Sequence, residues 1–134
     1  MTDHGVPLDQ VPLGPLGESM GMSLVEASPE QVVITMPVAG NTQPMGLLHG
    51  GANAVLVETA GSIGAALHAG PGKAIVGLDI NATHHRSARQ GTVTATAVPL
   101  SLGRTLTSYE VVIRDEQDRL LCTGRLTCLI RDAQ

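Results

Sequence analysis

Glu58 stands in a long apolar stretch, directly after Val55, Leu56 and Val57, with no Lys or Arg within two helical turns. A carboxylate so placed either reaches solvent or an Arg on another element, or serves as a general base or nucleophile. Burying a lone charge is otherwise costly and shifts its pKa. Upstream, His49-Gly50-Gly51 opens the same stretch. Glycines let a ligand approach the backbone closely. The first N–H groups of a helix lack intrahelical acceptors and sit at its positive end. The triplet is thus either a tight loop-to-helix turn or a site for an anion or oxyanion, and His49 by itself fits a structural histidine as well.

A third cluster is Ile80-Asn81-Ala82-Thr83-His84-His85-Arg86-Ser87-Ala88-Arg89. Adjacent strand residues face opposite ways, so only one of His84 and His85 turns toward the helix. For the same reason Asp79, His84 and His85 make no metal site, and none is expected. Arg86 and Arg89 follow where the chain turns at Gly91. They form either a solvated edge or, beside a pocket, a phosphate site built from planar forks. Ser101-Leu102-Gly103-Arg104 is a phosphate cradle or a β-bend. No P-loop, dinucleotide fingerprint, HExxH or GxSxG is present.

The elements that position these residues follow from punctuation and periodicity. Residues 1–18 are rich in Pro and Gly and predict an irregular lead-in with at most a short turn of helix. Strands are expected over 20–27 and 31–38, and a loop over 40–46. Apolar residues at steps of three and four predict a helix over 47–69, stopped by Gly70-Pro71-Gly72. A second stripe on it (Ala54, Glu58, Gly61, Ser62, Ala65) is small apart from Glu58. Strands follow over 73–84, 91–100, 106–114 and 119–131, the last two joined by Asp115-Glu116-Gln117-Asp118, a turn by composition. The order predicts an α+β fold, an antiparallel sheet of five or six strands wrapped around one long central helix, in a single domain over 1–134.

Composition excludes several classes. The 134 residues are 43% hydrophobic, which separates them from disordered chains. Tyr109 is the one aromatic residue, so a base-stacking nucleic-acid platform is excluded and any ligand pocket is aliphatic. Net charge is −4, against the basic patch that duplex binding needs. Every Lys and Arg lies after Gly72, so any phosphate is read by the second half of the chain. Cys122 and Cys128 share one strand face, too far apart to bridge, and read as buried small hydrophobes. No secretory signal and no bilayer-spanning run is expected, which points to the cytoplasm and to no membrane partner.

Two stretches resemble the hotdog-fold acyl-CoA thioesterases over about residues 18–131. They are Asn41-Thr42-Gln43-Pro44-Met45-Gly46-Leu47-Leu48-His49-Gly50-Gly51 with Glu58 and Ser62, and the run from Gly77 to Arg89. The likeness is greatest to the branch of phenylacetate-pathway, 4-hydroxybenzoyl-CoA, enterobactin-proofreading and 1,4-dihydroxy-2-naphthoyl-CoA enzymes. The resemblance implies roles. Glu58 attacks the thioester carbonyl or activates water. The Gly50 N–H polarises that carbonyl, and Gln43 and His49 help bind its oxygen. Ser62 positions the water, and His84 lies near the acyl group, with Gly51 and Asn41 among the substrate-binding positions. Arg86, Arg89, Ser101, Gly103 and Arg104 meet the nucleotide end of CoA. CoA belongs to the substrate, and no cofactor is implied.

Given those roles, Gly50 and Glu58 are about 12 Å apart along one helix, whereas both must reach one carbonyl. The expectation is a homodimer with shared active sites, which the family often pairs into a homotetramer. Two alternatives from other classes are a noncatalytic acyl-CoA sensor and a hotdog dehydratase-like CoA enzyme. The GHFPxxP-type run of the latter is absent.

Overall fold

A computed structural model describes residues 7–134. After a 3-10 turn at Leu8–Gln10 come α1 (Gly14–Ser19), β1 (Ser23–Ala27), β2 (Val32–Pro37), α2 (Gly50–Ala69), β3 (Lys73–His84), β4 (Thr92–Leu102), β5 (Leu106–Arg114) and β6 (Leu120–Asp132). The irregular lead-in expected over 1–18 falls partly outside the described residues. Within them it contains α1, because Pro15 sits in the first helical turn, where its missing N–H leaves no bond unmade.

The six strands form one antiparallel sheet in the order β1-β2-β4-β5-β6-β3. Strict alternation makes this sheet one-sided: Val93, Ala95 and Ala97 of β4 and Val111 and Ile113 of β5 face inward, fully buried. On that face lies α2, packed against β2, β3, β4, β5 and β6. Leu56, Val57, Ala60 and Ala65 of α2 are fully buried. Close approach depends on missing side chains. A Cβ on Gly64 would lie 2.6 Å from the Tyr109 ring, and one on Gly124 of β6 would lie 2.7 Å from Val57. The phenol of Tyr109 donates to the Pro29 carbonyl at 2.5 Å. Cys122 and Cys128 are buried free thiols on the inward face of β6.

Two features depart from the periodicity. The helix begins at Gly50, not residue 47, because Leu48 bridges Thr42 and donates its N–H to Ala88 at 2.7 Å. The helix is also not enclosed all round: Gly51, Glu58 and Ala66 are exposed. Beside that flank runs β3, an edge strand paired, among the described residues, only with β6. Its Leu78 is 56% exposed and its Val76 and Ile80 each 38%, a row of large aliphatics that β3 alone leaves uncovered.

Candidate active site

The loop before α2 is rigidly tied. Asn41 donates its side-chain amide to the carbonyls of Met20 and Pro37, each at 2.8 Å, and its own carbonyl accepts from His49 N–H at 2.9 Å. Asn41 therefore braces the loop. Gln43 bonds Leu47 through its backbone N–H at 2.8 Å, while its Oε1 accepts from the backbone N–H groups of Met45 and Leu47. With that oxygen occupied, the Gln43 amide presents its NH₂ donors.

His49 caps α2. Its Nδ1 accepts from Gly51 N–H at 2.8 Å, an arrangement that requires a bare Nδ1 and leaves the proton on Nε2. The Gly51 N–H is thereby used, and the Gly50 N–H has no partner among the described residues. It is the available donor at the helix start.

His84 lies directly over that glycine. A Cβ on Gly50 would sit 3.0 Å from His84 Nε2 and 3.3 Å from Cε1. Its neighbour His85 borders the same cleft and pairs with Thr123 Oγ1 at 2.8 Å. The other side of the His84 ring meets Asn53, whose Nδ2 is 3.2 Å from Nδ1. Gln43, Gly50, Asn53, His84 and Arg86 line one cleft of about 340 Å³.

Glu58 and Ser62 face elsewhere. The Glu58 carboxylate rests over Gly77 of β3, and no ion pair reaches it among the described residues. Cys128 is close enough to feel it: burial pushes the Cys128 thiol up, Ser62 opposes this, and the Glu58 charge adds to the rise. Ser62 also borders an apolar groove of about 340 Å³ with Val11, Pro12, Ile63, Leu67 and Ile75.

The basic residues divide between the two ends of α2. Arg86 lies at the Gly50 end. Arg89 borders a polar hollow with Asp115, Glu116 and Arg119. Gly103 and Arg104 lie at the other end, where the Gly103 carbonyl accepts from His68 Nε2 at 2.8 Å, with exposed Ser101 just before them on β4. One chain thus brings Gln43, Gly50, His84 and Arg86 together. It holds Glu58 and Ser62 apart from them, and Ser101, Gly103 and Arg104 farther still. No three His, Cys, Asp or Glu side chains among the described residues gather as a metal site. Sequence reasoning missed Asn53, whose signal was a carboxamide one turn into an otherwise aliphatic helix start.

Among the described residues no helix is long and apolar enough to cross a membrane. A family model, the thioesterase superfamily, matches residues 45–122. The chain is 43% identical over 124 residues to the proofreading thioesterase EntH of Cronobacter turicensis, covering 92% of this chain and 90% of that one. A thioesterase structure from Haemophilus influenzae superposes with TM-score 0.84 at 40% identity, covering 87% of this chain and 82% of its own. A mutant thioesterase from Pseudomonas aeruginosa gives TM-score 0.91 at 32% identity over 98% of each chain. Sequence and hotdog architecture agree: this chain belongs to the thioesterase superfamily and is a thioester hydrolase.

Proposed function

We propose that the chain hydrolyses the thioester of a small acyl- or aryl-CoA to the free acid and CoA, at a site shared by two copies of the chain. The observation that carries this reading is the unpartnered Gly50 N–H in the cleft that Gln43 and His84 also line. A thioester oxygen accepting from Gly50 N–H and the Gln43 amide is polarised toward the oxyanion. Losing one such donor typically costs about 10²–10³ in rate. Glu58 attacks the carbonyl carbon to give a mixed anhydride that water opens, or takes the proton of a water that attacks directly. Ser62 holds that water. CoA leaves as a thiolate and is protonated by solvent, so the reaction draws on no cofactor.

Donor and nucleophile must lie within roughly 3–3.5 Å of one carbonyl group. Their spacing along α2 forbids this within one chain. A two-fold axis beside β3 would cover Val76, Leu78 and Ile80 and bring Gly50 of one copy to Glu58 of the other. The same symmetry would bring the Arg86 end of one helix toward the Arg104 end of its partner, where the CoA phosphates bind. The groove beside Ser62 takes the acyl group, and two such dimers form a homotetramer. The reading carries with it a cytoplasmic enzyme whose partners are its substrate and further copies of itself.

The test is a panel of aryl-, short- and medium-chain acyl-CoAs, with free thiol read by a thiol-reactive dye. Release of CoA from at least one, with kcat/KM above about 10⁴ M⁻¹s⁻¹, is expected. Hydrolysis of protein-borne acyl-pantetheine but of no acyl-CoA would overturn the CoA assignment, and binding without release would make the protein a sensor.

A further inference from the structure

Asn53 is 4% exposed and its Oδ1 has no hydrogen-bond partner among the described residues, while its Nδ2 contacts His84 Nδ1 at 3.2 Å. A buried oxygen left unpaired is destabilising, and an aliphatic residue at this aliphatic helix start would avoid it. The side chain is explained by what its other end does. We infer that Asn53 is a positioning residue: by donating to Nδ1 it keeps His84 in the Nε2–H tautomer and aims that N–H over Gly50, as a further donor for the thioester oxygen.

Three observations support this. Turning the Asn53 amide over would orphan an NH₂ group with two hydrogens in place of one carbonyl oxygen. The His84 ring already lies against Gly50, close enough that a Cβ there would meet Nε2 at 3.0 Å. Among the described residues Nε2 has no other partner. A histidine whose Nδ1 carried the proton would instead present a bare lone pair to the developing oxyanion and repel it. The groups around the ring are the neutral Gln43 and Asn53, the His85 and Arg86 side chains beyond the strand end, and Cys122 opposite His84 in the β3–β6 ladder. Among the described residues no carboxylate lines the cleft.

The inference rests on the thioesterase reading for its purpose, but its first test needs no substrate. Long-range ¹H–¹⁵N NMR of the labelled full chain reports which ring nitrogen is protonated, with His84 assigned by its loss in His84→Gln. The wild type is expected to show a protonated Nε2 and a bare Nδ1 above the imidazole pKa. A protonated Nδ1 there would overturn the inference. Asn53→Asp replaces the donor by a charged acceptor, so His84 should take up Nδ1–H and stay cationic to about one pH unit higher or more. In acyl-CoA turnover Asn53→Ala should lower kcat by at least about tenfold with KM little changed, since a wrong tautomer can cost far more. Asn53→Gln, or Asn53→Ser through a bridging water, should restore part of it. An unchanged tautomer and unchanged kcat in a folded Asn53→Ala chain would sink the positioning role. A chain that hydrolyses no acyl-CoA yet shows the Nε2–H tautomer would overturn the substrate reading alone.

Discussion

The carboxylate of Glu58 rests on the bare backbone of Gly77: a Cβ built there would lie 3.0 Å from Oε2. Gly77 borders a register shift in β3, between Gly77 and Asp79, so the strand both bends and loses a side chain at this spot. Gly77→Ala should push the carboxylate aside while leaving the fold in place, because the end of a flexible side chain moves easily. The expected result is a nearly unchanged melting temperature and a kcat lowered about tenfold, as misplaced reacting groups lose large factors. Glu58→Ala should lower kcat by about 10² or more. More than a tenth of the activity surviving Glu58→Ala would remove Glu58 from the chemistry.

A shared site makes a prediction about mixtures. Glu58→Ala and Gly50→Pro chains should each be inactive. Pro is tolerated at a first helical position, and His49 before it is already extended, so the second variant keeps its helix while losing its N–H. After co-refolding, random pairing makes about half the dimers mixed, and each mixed dimer holds one intact site of two. Activity should return to about a quarter of wild type. Two folded, exchanging variants that recover nothing would show that each site is built within one chain.

Arg86 borders the cleft, whereas Arg104 lies at the far end of α2. If both meet CoA phosphates across a dimer, neutralising either should raise KM for acyl-CoA. Removing one charge-assisted hydrogen bond to a phosphate corresponds to about tenfold. The matching acyl-pantetheine, which lacks the nucleotide, should be hydrolysed by the variants as by the wild type. Equal losses on both substrates would point to a structural role.

Burial, with the Glu30 charge adding to it, pushes the Tyr109 phenol above its ordinary value. Burial likewise pushes Cys122 and Cys128 up. In each case the folded chain keeps a proton that the unfolded chain releases. The stability this contributes is complete below the ordinary pKa and is lost as pH rises toward the raised one. The denaturation midpoint should therefore fall from about pH 8.5 upward, as thiols and then the phenol ionise in the unfolded chain. Tyr109 is the one tyrosine, so phenolate absorbance reports it alone. It should rise together with unfolding, and a phenolate signal in a still-folded chain would contradict this account.

Much of this architecture was legible because punctuation was strong. Gly70-Pro71-Gly72 and the Asp115–Asp118 turn delimit β3 and β5, which run as Lys73–His84 and Leu106–Arg114, the bounds expected. The start of α2 was not legible, since Leu47 and Leu48 continue the apolar spacing and only a long-range bond to Ala88 shows them to be loop. α1 is the short helical turn that the Pro- and Gly-rich lead-in allowed, but its bounds were not legible, since Gly14 and Pro15 occupy its first turn. At the candidate site, the resemblance singled out Gln43, His49, Gly50, Glu58 and Ser62 as one segment. Their division into two places did not show, because periodicity gives a helix face but not what lies opposite. Asn53 escaped for the same reason: its type was visible, its burial against His84 was not.

The sheet order also bears on how the chain is made. β6 lies between β5 and β3, although it is the last strand in sequence. β3 thus leaves the ribosome with neither edge paired, and waits through β4 and β5 before its one strand partner arrives. Until Leu120–Asp132 emerges, the nascent chain carries a twelve-residue strand with both backbone edges open, the kind of segment that recruits other chains. Synthesis halted anywhere before β6 would yield an aggregating fragment rather than a smaller folded enzyme.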